Sequence, residues 1–107
     1  MSVTVLAASV AASAGDKTAV LVGTETPFLP GRYVEYEIDL SGATGTEAVI
    51  AIDGSDDNDT FVADLATYTG LHRKVGMVKC YKYMRASVTT AAGTLAGTVH
   101  VALRSGD

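Results

Sequence analysis

Apolar and acidic residues alternate without interruption from residue 34 to residue 40, and this two-residue period constrains the fold more than any other feature of the chain. Successive side chains of a β-strand point to opposite faces of a sheet, so one face of the segment would be buried and the other would be acidic. The apolar positions are Val34, Tyr36, Ile38 and Leu40, and the acidic positions are Glu35, Glu37 and Asp39. The pattern predicts a strand over residues 33–40 with one face in a core.

Two more strands are predicted, one on each side of a polar turn. Residues 48–52 form a short apolar run, which suits a strand that is buried on both faces. A polar loop over residues 53–59 follows, and a second strand is predicted over residues 61–68. The inward side of that strand is expected to carry Phe61, Ala63 and Leu65.

The C-terminal part of the chain is predicted to form a long antiparallel hairpin. Residues 75–90 make its first strand, in which Lys82 interrupts the alternation and requires a bulge or an exposed sheet edge. Residues 95–104 return as the second strand after a turn at 91–93. With a further strand at 18–22, the number reaches about seven or eight, which is typical of an antiparallel β-sandwich or barrel.

Residues 1–107 are expected to form a single domain, with residues 1–17 as a candidate extended N-terminal arm. Residues 3–14 are apolar but lack a sustained amphipathic stripe, which favours extended chain over the rival interpretation, a helix at 6–14. A secretory signal would carry Lys or Arg ahead of its apolar stretch. The first basic residue is Lys17, so no signal peptide is expected.

Acidic and basic residues are unevenly distributed along the chain. Residues 1–70 hold eleven of the twelve acidic residues, and residues 71–107 hold six of the eight basic ones. The two halves either neutralise each other on neighbouring strands or face different partners, and the sequence leaves both arrangements open. The net charge of −4 argues against nucleic acid as the main partner. Cys80 is the single cysteine, so no internal disulfide is expected, which fits synthesis in a cytoplasm.

The residue pattern offers no matched catalytic or metal-binding set, so we expect a non-enzymatic protein without a cofactor. The acidic loop at 53–59 contains ligands that Ca²⁺ prefers, but its spacing differs from a helix-flanked calcium loop, and a solvated turn selects the same residue types. His72 and His100 lack the further ligands that zinc demands. Cys80 is predicted to face the core, where thiols are usually inert.

Two sets of residues are candidates for contact with a partner. The first is an aromatic and basic stripe predicted on one face of the 75–90 strand, for which packing within the sheet is the competing interpretation. It consists of Lys79, Tyr81, Tyr83 and Arg85. The second set surrounds a proline-stiffened loop, whose apolar residues either plug the end of the sandwich or meet a partner. It consists of Phe28, Leu29, Arg32 and Tyr33.

Four segments carry a resemblance to a known family: residues 31–36, the turn at 53–59, and the closing segments 83–89 and 98–103. In size, composition and strand layout, the chain resembles the small jelly-roll decoration or cement proteins of tailed-bacteriophage heads. The resemblance implies a jelly-roll-like β-sandwich. It also implies an oligomeric clamp, a dimer or trimer, that binds the outer capsid surface of the virion where subunits of the major capsid protein meet.

A clamp of this kind would do mechanical work by bridging adjacent capsid subunits, with many weak copies acting together. The apolar N-terminal residues, Val3 and Val5 among them, would lay an extended strand against a neighbouring sheet edge. No nucleic-acid or membrane partner is expected.

Three other interpretations remain open. The chain would be another phage structural protein, such as a head-fibre base or a tail component. It would be a carbohydrate-binding or adhesin-like sandwich, which the absence of Trp disfavours. Or it would be a small hydrolase or an enzyme subunit, for which the sequence supplies no matched acid, base and nucleophile.

Overall fold

The described part of the chain consists mainly of β-strands. The computed structural model describes residues 2–7, 20–21, 28–45, 47–90 and 95–105. Within these ranges the strands are β1 Ser2–Ala7, β2 Val20–Leu21, β3 Tyr33–Asp39, β4 Ala43–Gly45, β5 Ala48–Ser55, β6 Val62–Gly70, β7 Arg73–Lys79, β8 Tyr83–Thr90, β9 Leu95–Gly97 and β10 His100–Ser105. Seven of these described strands are six residues or longer. The predicted all-β class is confirmed.

The strands form two four-stranded sheets and a two-stranded ribbon. The first sheet has the order β1-β10-β3-β7, the second has the order β2-β8-β5-β6, and the ribbon joins β4 to β9. All of these pairings are antiparallel. Four of them are nested along the chain, because β5 pairs with β6, β3 with β7, β2 with β8 and β1 with β10. Strands that follow one another therefore usually lie in opposite sheets.

The core lies between the two sheets, and the two-residue period decides which side chains enter it. On β3, Val34, Tyr36 and Ile38 are buried and the acidic residues between them are partly exposed, as the alternation predicts. Buried residues of both sheets join one cluster, which includes Val78, Val101 and Leu103 of the first sheet and Ala48, Ile50, Ile52, Ala66, Met84, Ala86 and Val88 of the second. The molecule is therefore an antiparallel β-sandwich.

The predicted C-terminal hairpin is wrong. Residues 75–90 are divided between β7 in the first sheet and β8 in the second, and the chain crosses between the sheets at residues 80–82. Strand β10 pairs with β1 and β3 and has no pairing with β8. A period of two specifies which face of a strand is buried but not which strand lies beside it. The interruption at Lys82 marks the crossing between layers.

Strand β6 pairs with β5 around a bulge. Three residues of β6, 63–65, lie opposite the single residue Asp53 of β5. Asp64 at the centre has a left-handed backbone, with a φ angle of 57°. The bulge breaks the alternation, so that Leu65 packs against the core while Ala63 is exposed. This corrects the prediction that positions 61, 63 and 65 share one inward side.

The N-terminal strand belongs to the sandwich of its own chain. Residues 2–7 form β1, which pairs with β10 and places Val3 opposite Arg104 and Val5 opposite Ala102. The prediction placed residues 3–14 as an extended strand against a neighbouring sheet edge, and for residues 2–7 the neighbouring strand is β10 of the same chain. The remainder of the candidate arm, residue 1 and residues 8–17, lies outside the described residues.

Replacing a core valine is expected to cost far more stability than replacing an exposed one. Val101→Ala removes two methyl groups from a fully buried site and should lower the free energy of unfolding by roughly 1.5–3 kcal/mol. Val75→Ala makes the same change at a partly exposed position on β7 and should cost less than about 1 kcal/mol. Urea unfolding of both variants measures the difference. Equal losses would contradict the placement of the core.

Candidate functional site

The acidic face of β3 is neutralised within the first sheet. Arg104 on β10 pairs with Glu35, and its second terminal nitrogen lies 3.6 Å from a carboxylate oxygen of Glu37. On the other side, Arg73 on β7 donates from Nε to Glu37 Oε2 at 2.8 Å. That hydrogen bond raises the pKa of Arg73. Of the two charge arrangements that the sequence left open, neutralisation on neighbouring strands is the one observed for these strands.

A second internal ion pair lies on the outer side of the second sheet. Asp53 is only 1% exposed, and Arg85 donates from Nε to its Oδ2 at 3.0 Å. The backbone N–H of Asp64, in the β6 bulge, donates to Oδ1 of Asp53 at 3.0 Å. The Arg85 guanidinium lies 3.7 Å from the centre of the Phe61 ring. Arg85, predicted to contact a partner, is therefore occupied by contacts within its own chain.

The polar loop beyond β5 is organised by Asp57. Strand β5 runs to Ser55, so the loop begins three residues later than the sequence predicted. The backbone N–H groups of Asp59 and Thr60 each donate to Asp57 Oδ1 at 2.9 Å, and the Ser55 hydroxyl donates to the same oxygen at 2.8 Å. These hydrogen bonds, that of Thr60 foremost, lower the pKa of Asp57. The loop is thus a hydrogen-bonded turn of the kind that Asp and Ser favour.

Histidine and cysteine residues do not assemble into a reactive group in the described ranges. His72 is exposed, and His100 lies with Nε2 3.9 Å from a carboxylate oxygen of Glu37. Cys80 is buried, as predicted, and burial raises the pKa of its thiol to about 11. Across residues 2–7, 20–21, 28–45, 47–90 and 95–105, no three His, Cys, Asp or Glu side chains are grouped so as to hold a metal ion. The same residues include no helix that is long and apolar enough to cross a membrane.

The aromatic and basic stripe predicted on one strand is split by the crossing between sheets. Lys79 ends β7 in the first sheet, whereas Tyr83 begins β8 in the second. Tyr81 lies between them and packs against the core. Each tyrosine has a lysine nearby: Lys79 Nζ is 5.8 Å from the centre of the Tyr81 ring, and Lys82 Nζ is 5.8 Å from that of Tyr83. The residues therefore do not form the single continuous surface that the sequence suggested.

The proline-stiffened loop both plugs the sandwich and presents exposed residues. Phe28 is fully buried in the core, which corrects its placement among the partner contacts. Leu29, Arg32 and Tyr33 are exposed. The loop is held by Cys80, whose carbonyl accepts from the N–H of residue 31 at 2.9 Å and whose own N–H donates to the carbonyl of Arg32 at 2.7 Å. These bonds fix the exposed loop beside the end of β7.

An apolar surface, here called the β7 patch, continues from this loop along the outer face of the first sheet. It consists of Tyr33, Val75 and Met77, which are 67%, 37% and 60% exposed. Tyr33 lies opposite Lys79, and Glu35 lies opposite Met77. Lys79 is the residue that follows Met77 on the same face of β7, so Tyr33 and Met77 are diagonal neighbours across the two strands. Sequence reasoning selected Tyr33 but missed Val75 and Met77. Their signal was present, since both share the parity of Lys79 and so belong to the outward face of β7.

The β7 patch lies at the edge of its sheet. Strand β7 ends the order β1-β10-β3-β7, and no described strand pairs with its far side. Exposed apolar side chains beside an open sheet edge are typical of surfaces that bind another protein. Among the predicted partner contacts whose burial the structure describes, Leu29, Arg32 and Tyr33 are exposed, and their loop is hydrogen-bonded to Cys80 beside the end of β7.

Comparisons of the chain with protein-family models, with curated proteins and with solved structures found no match. What the chain binds is therefore inferred from its own surface.

Removing Arg85 is expected to destabilise the fold because Asp53 would remain buried without its main charge partner. Arg85→Ala should lower the free energy of unfolding by about 2–4 kcal/mol. Arg73→Ala removes an exposed arginine from an ion pair on the other sheet, where solvent screens the interaction, and should change stability little. Chemical denaturation compares the two. A small effect of Arg85→Ala would show that the Asp53 carboxylate finds other partners.

Asp57→Asn is expected to reduce the loss of stability on acidification. The pKa of Asp57 is lower in the folded protein than its ordinary value of 3.8, so its stabilising contribution is present above that pH and is lost as the pH falls through the folded-state pKa. Urea unfolding at about pH 6 and about pH 2.5 should show a smaller loss for the variant than for the wild type. Asp56→Asn removes a neighbouring exposed carboxylate. An equal effect of that control would assign the change to net charge.

Proposed function

We propose that this chain is a virion structural protein: a decoration or cement protein that binds the outer surface of a tailed-phage head and stabilises contacts between major capsid subunits. The β7 patch is the observation that carries the proposal. It combines three exposed apolar side chains with an open strand edge, on a sandwich in which Arg85 pairs with Asp53 and Arg104 pairs with Glu35. A small module of this kind binds through a surface and needs no reactive group.

The strand order supports a jelly-roll form of the sandwich. Eight strands fold as nested pairs, first with last and fourth with fifth, once the β4-β9 ribbon is set aside. Jelly rolls consist of eight strands in two such sheets and are frequent in viral capsid proteins. Fold alone does not assign function, so this order adds to the surface observation and to the sequence resemblance without replacing them.

The proposed work is mechanical. A copy bound across the joint between two capsid subunits adds buried area that must be lost before the joint opens, and many copies on one shell act together. Self-association into a dimer or trimer would let one clamp hold more than one subunit at a time. The ion pair of Arg85 with Asp53 joins β8 to β5 within the sandwich that would carry the load.

Co-sedimentation with empty tailed-phage capsids tests the proposal. The protein is expected to pellet with shells, and light scattering is expected to show a dimer or trimer. Met77→Ser, within the β7 patch, should weaken retention by about tenfold or more, which is the effect of losing a central apolar contact. Val62→Ser makes a comparable change at an exposed apolar residue of β6, in the other sheet, and should leave retention unchanged.

Two results would overturn the proposal. One is failure of the protein to pellet with any capsid tested. The other is equal retention of both serine variants, which would remove the β7 patch from the interface. A monomer that fails to pellet but is retained on a glycan array would instead support a carbohydrate-binding module.

A further inference from the structure

Strand β7 offers backbone hydrogen-bonding groups along the edge that faces away from β3. It is the last strand of the first sheet, and the described ranges contain no strand that pairs with that side. An open edge of this kind can accept an extended segment from another chain, which adds a strand to the sheet. Main-chain hydrogen bonds then supply affinity, and the alternating side chains supply specificity.

The side chains of β7 make this edge basic. The strand carries Arg73, Lys74 and Lys79 and no acidic residue. The Arg73 guanidinium is already hydrogen-bonded to Glu37, but neither lysine forms a salt bridge with a described carboxylate. Glu37 of the neighbouring strand β3 therefore neutralises Arg73, and the two lysines supply the positive charge that remains at this edge.

A second copy of β7 would be a poor occupant of the edge. If two copies of β7 paired antiparallel along their whole length, Gly76 of each copy would lie opposite Gly76 of the other. Arg73 of each copy would then lie opposite Lys79 of the other copy. Like charges directly opposite one another destabilise a strand pair. Lysines at sheet edges are a common device against such self-pairing.

Apolar side chains occupy the middle of the edge. Val75 and Met77 lie between Arg73 and Lys79 on the outer face, whereas Lys74 has the opposite parity, and Tyr33 on β3 extends this apolar surface. The complement of β7 is therefore an extended segment with apolar residues at its centre and carboxylates at both ends.

We propose that β7 binds such a segment, an acidic and apolar strand of another protein, by antiparallel strand addition. The inference rests on the proposed function for the identity of that protein, which would be the capsid. The physical recognition, backbone pairing along β7 with carboxylates facing Arg73, Lys74 and Lys79, is a property of this chain alone.

A designed peptide tests the recognition without a capsid. The capped, fluorescently labelled heptapeptide ETVTVEE places Glu opposite Lys79, Lys74 and Arg73, and Val opposite Met77 and Val75, when it lies antiparallel to β7. The control KTVTVKK has the same apolar residues and opposite charge. Fluorescence anisotropy is expected to show binding of the acidic peptide at least about tenfold tighter than that of the basic peptide at low salt.

Charge reversal on the protein supplies the matched variants. Lys74→Glu combined with Lys79→Glu should abolish the preference for the acidic peptide or reverse it. Lys82→Glu changes an exposed lysine of the crossing between sheets, outside β7, and should leave the preference intact. Hydrogen exchange should show slower exchange of β7 amides when the acidic peptide is bound.

Several outcomes would overturn the inference: no binding of either peptide, equal binding of both, an equal effect of Lys82→Glu, or protection of amides elsewhere than on β7. If the wild-type protein is a dimer by light scattering and Met77→Lys makes it a monomer, the β7 edge binds a second copy of this chain instead. Failure of the proposed function is distinguishable, because peptide binding without capsid retention rejects the capsid role alone, and capsid retention without peptide binding rejects strand addition alone.

Discussion

The structure depends on burying the inner faces of two four-stranded sheets against each other. Val34, Tyr36 and Ile38 of β3 enter that interior from one sheet, and Ile50 and Ile52 of β5 enter it from the other. Because each strand buries alternate residues, its remaining side chains must lie on the outside. The outer faces are therefore where charge pairing and binding are decided.

Nested strand pairing determines how the charges meet. The acidic face of β3 lies between β10 and β7, which come from the basic C-terminal third of the chain, so Glu35 and Glu37 find Arg104 and Arg73. The same arrangement leaves β7 at the edge, where Lys74 and Lys79 are both exposed. Neutralisation in the middle of the sheet and excess positive charge at its rim thus have one origin, the order of the strands.

Local pattern was sufficient wherever one strand could be judged alone. The alternation at residues 34–40 predicted the buried face of β3, and the alternation that groups Cys80 with Val78 predicted the burial of Cys80. Pattern failed where the result depends on distant residues. The stripe at Lys79, Tyr81 and Tyr83 was divided because the chain changes sheets there, and Arg85 is hydrogen-bonded to Asp53, which lies 32 residues earlier in the chain.

The amino-acid sequence was enough to establish the all-β class, the buried face of β3 and the unequal distribution of charge, because these follow from the period and the composition of neighbouring residues. The tertiary structure alone decided which strands pair, which charged side chains form ion pairs, and that Tyr33, Val75 and Met77 lie together in one patch. The physical reason is that strand pairing joins residues far apart in the chain, and a two-residue period is the same whichever strand lies alongside.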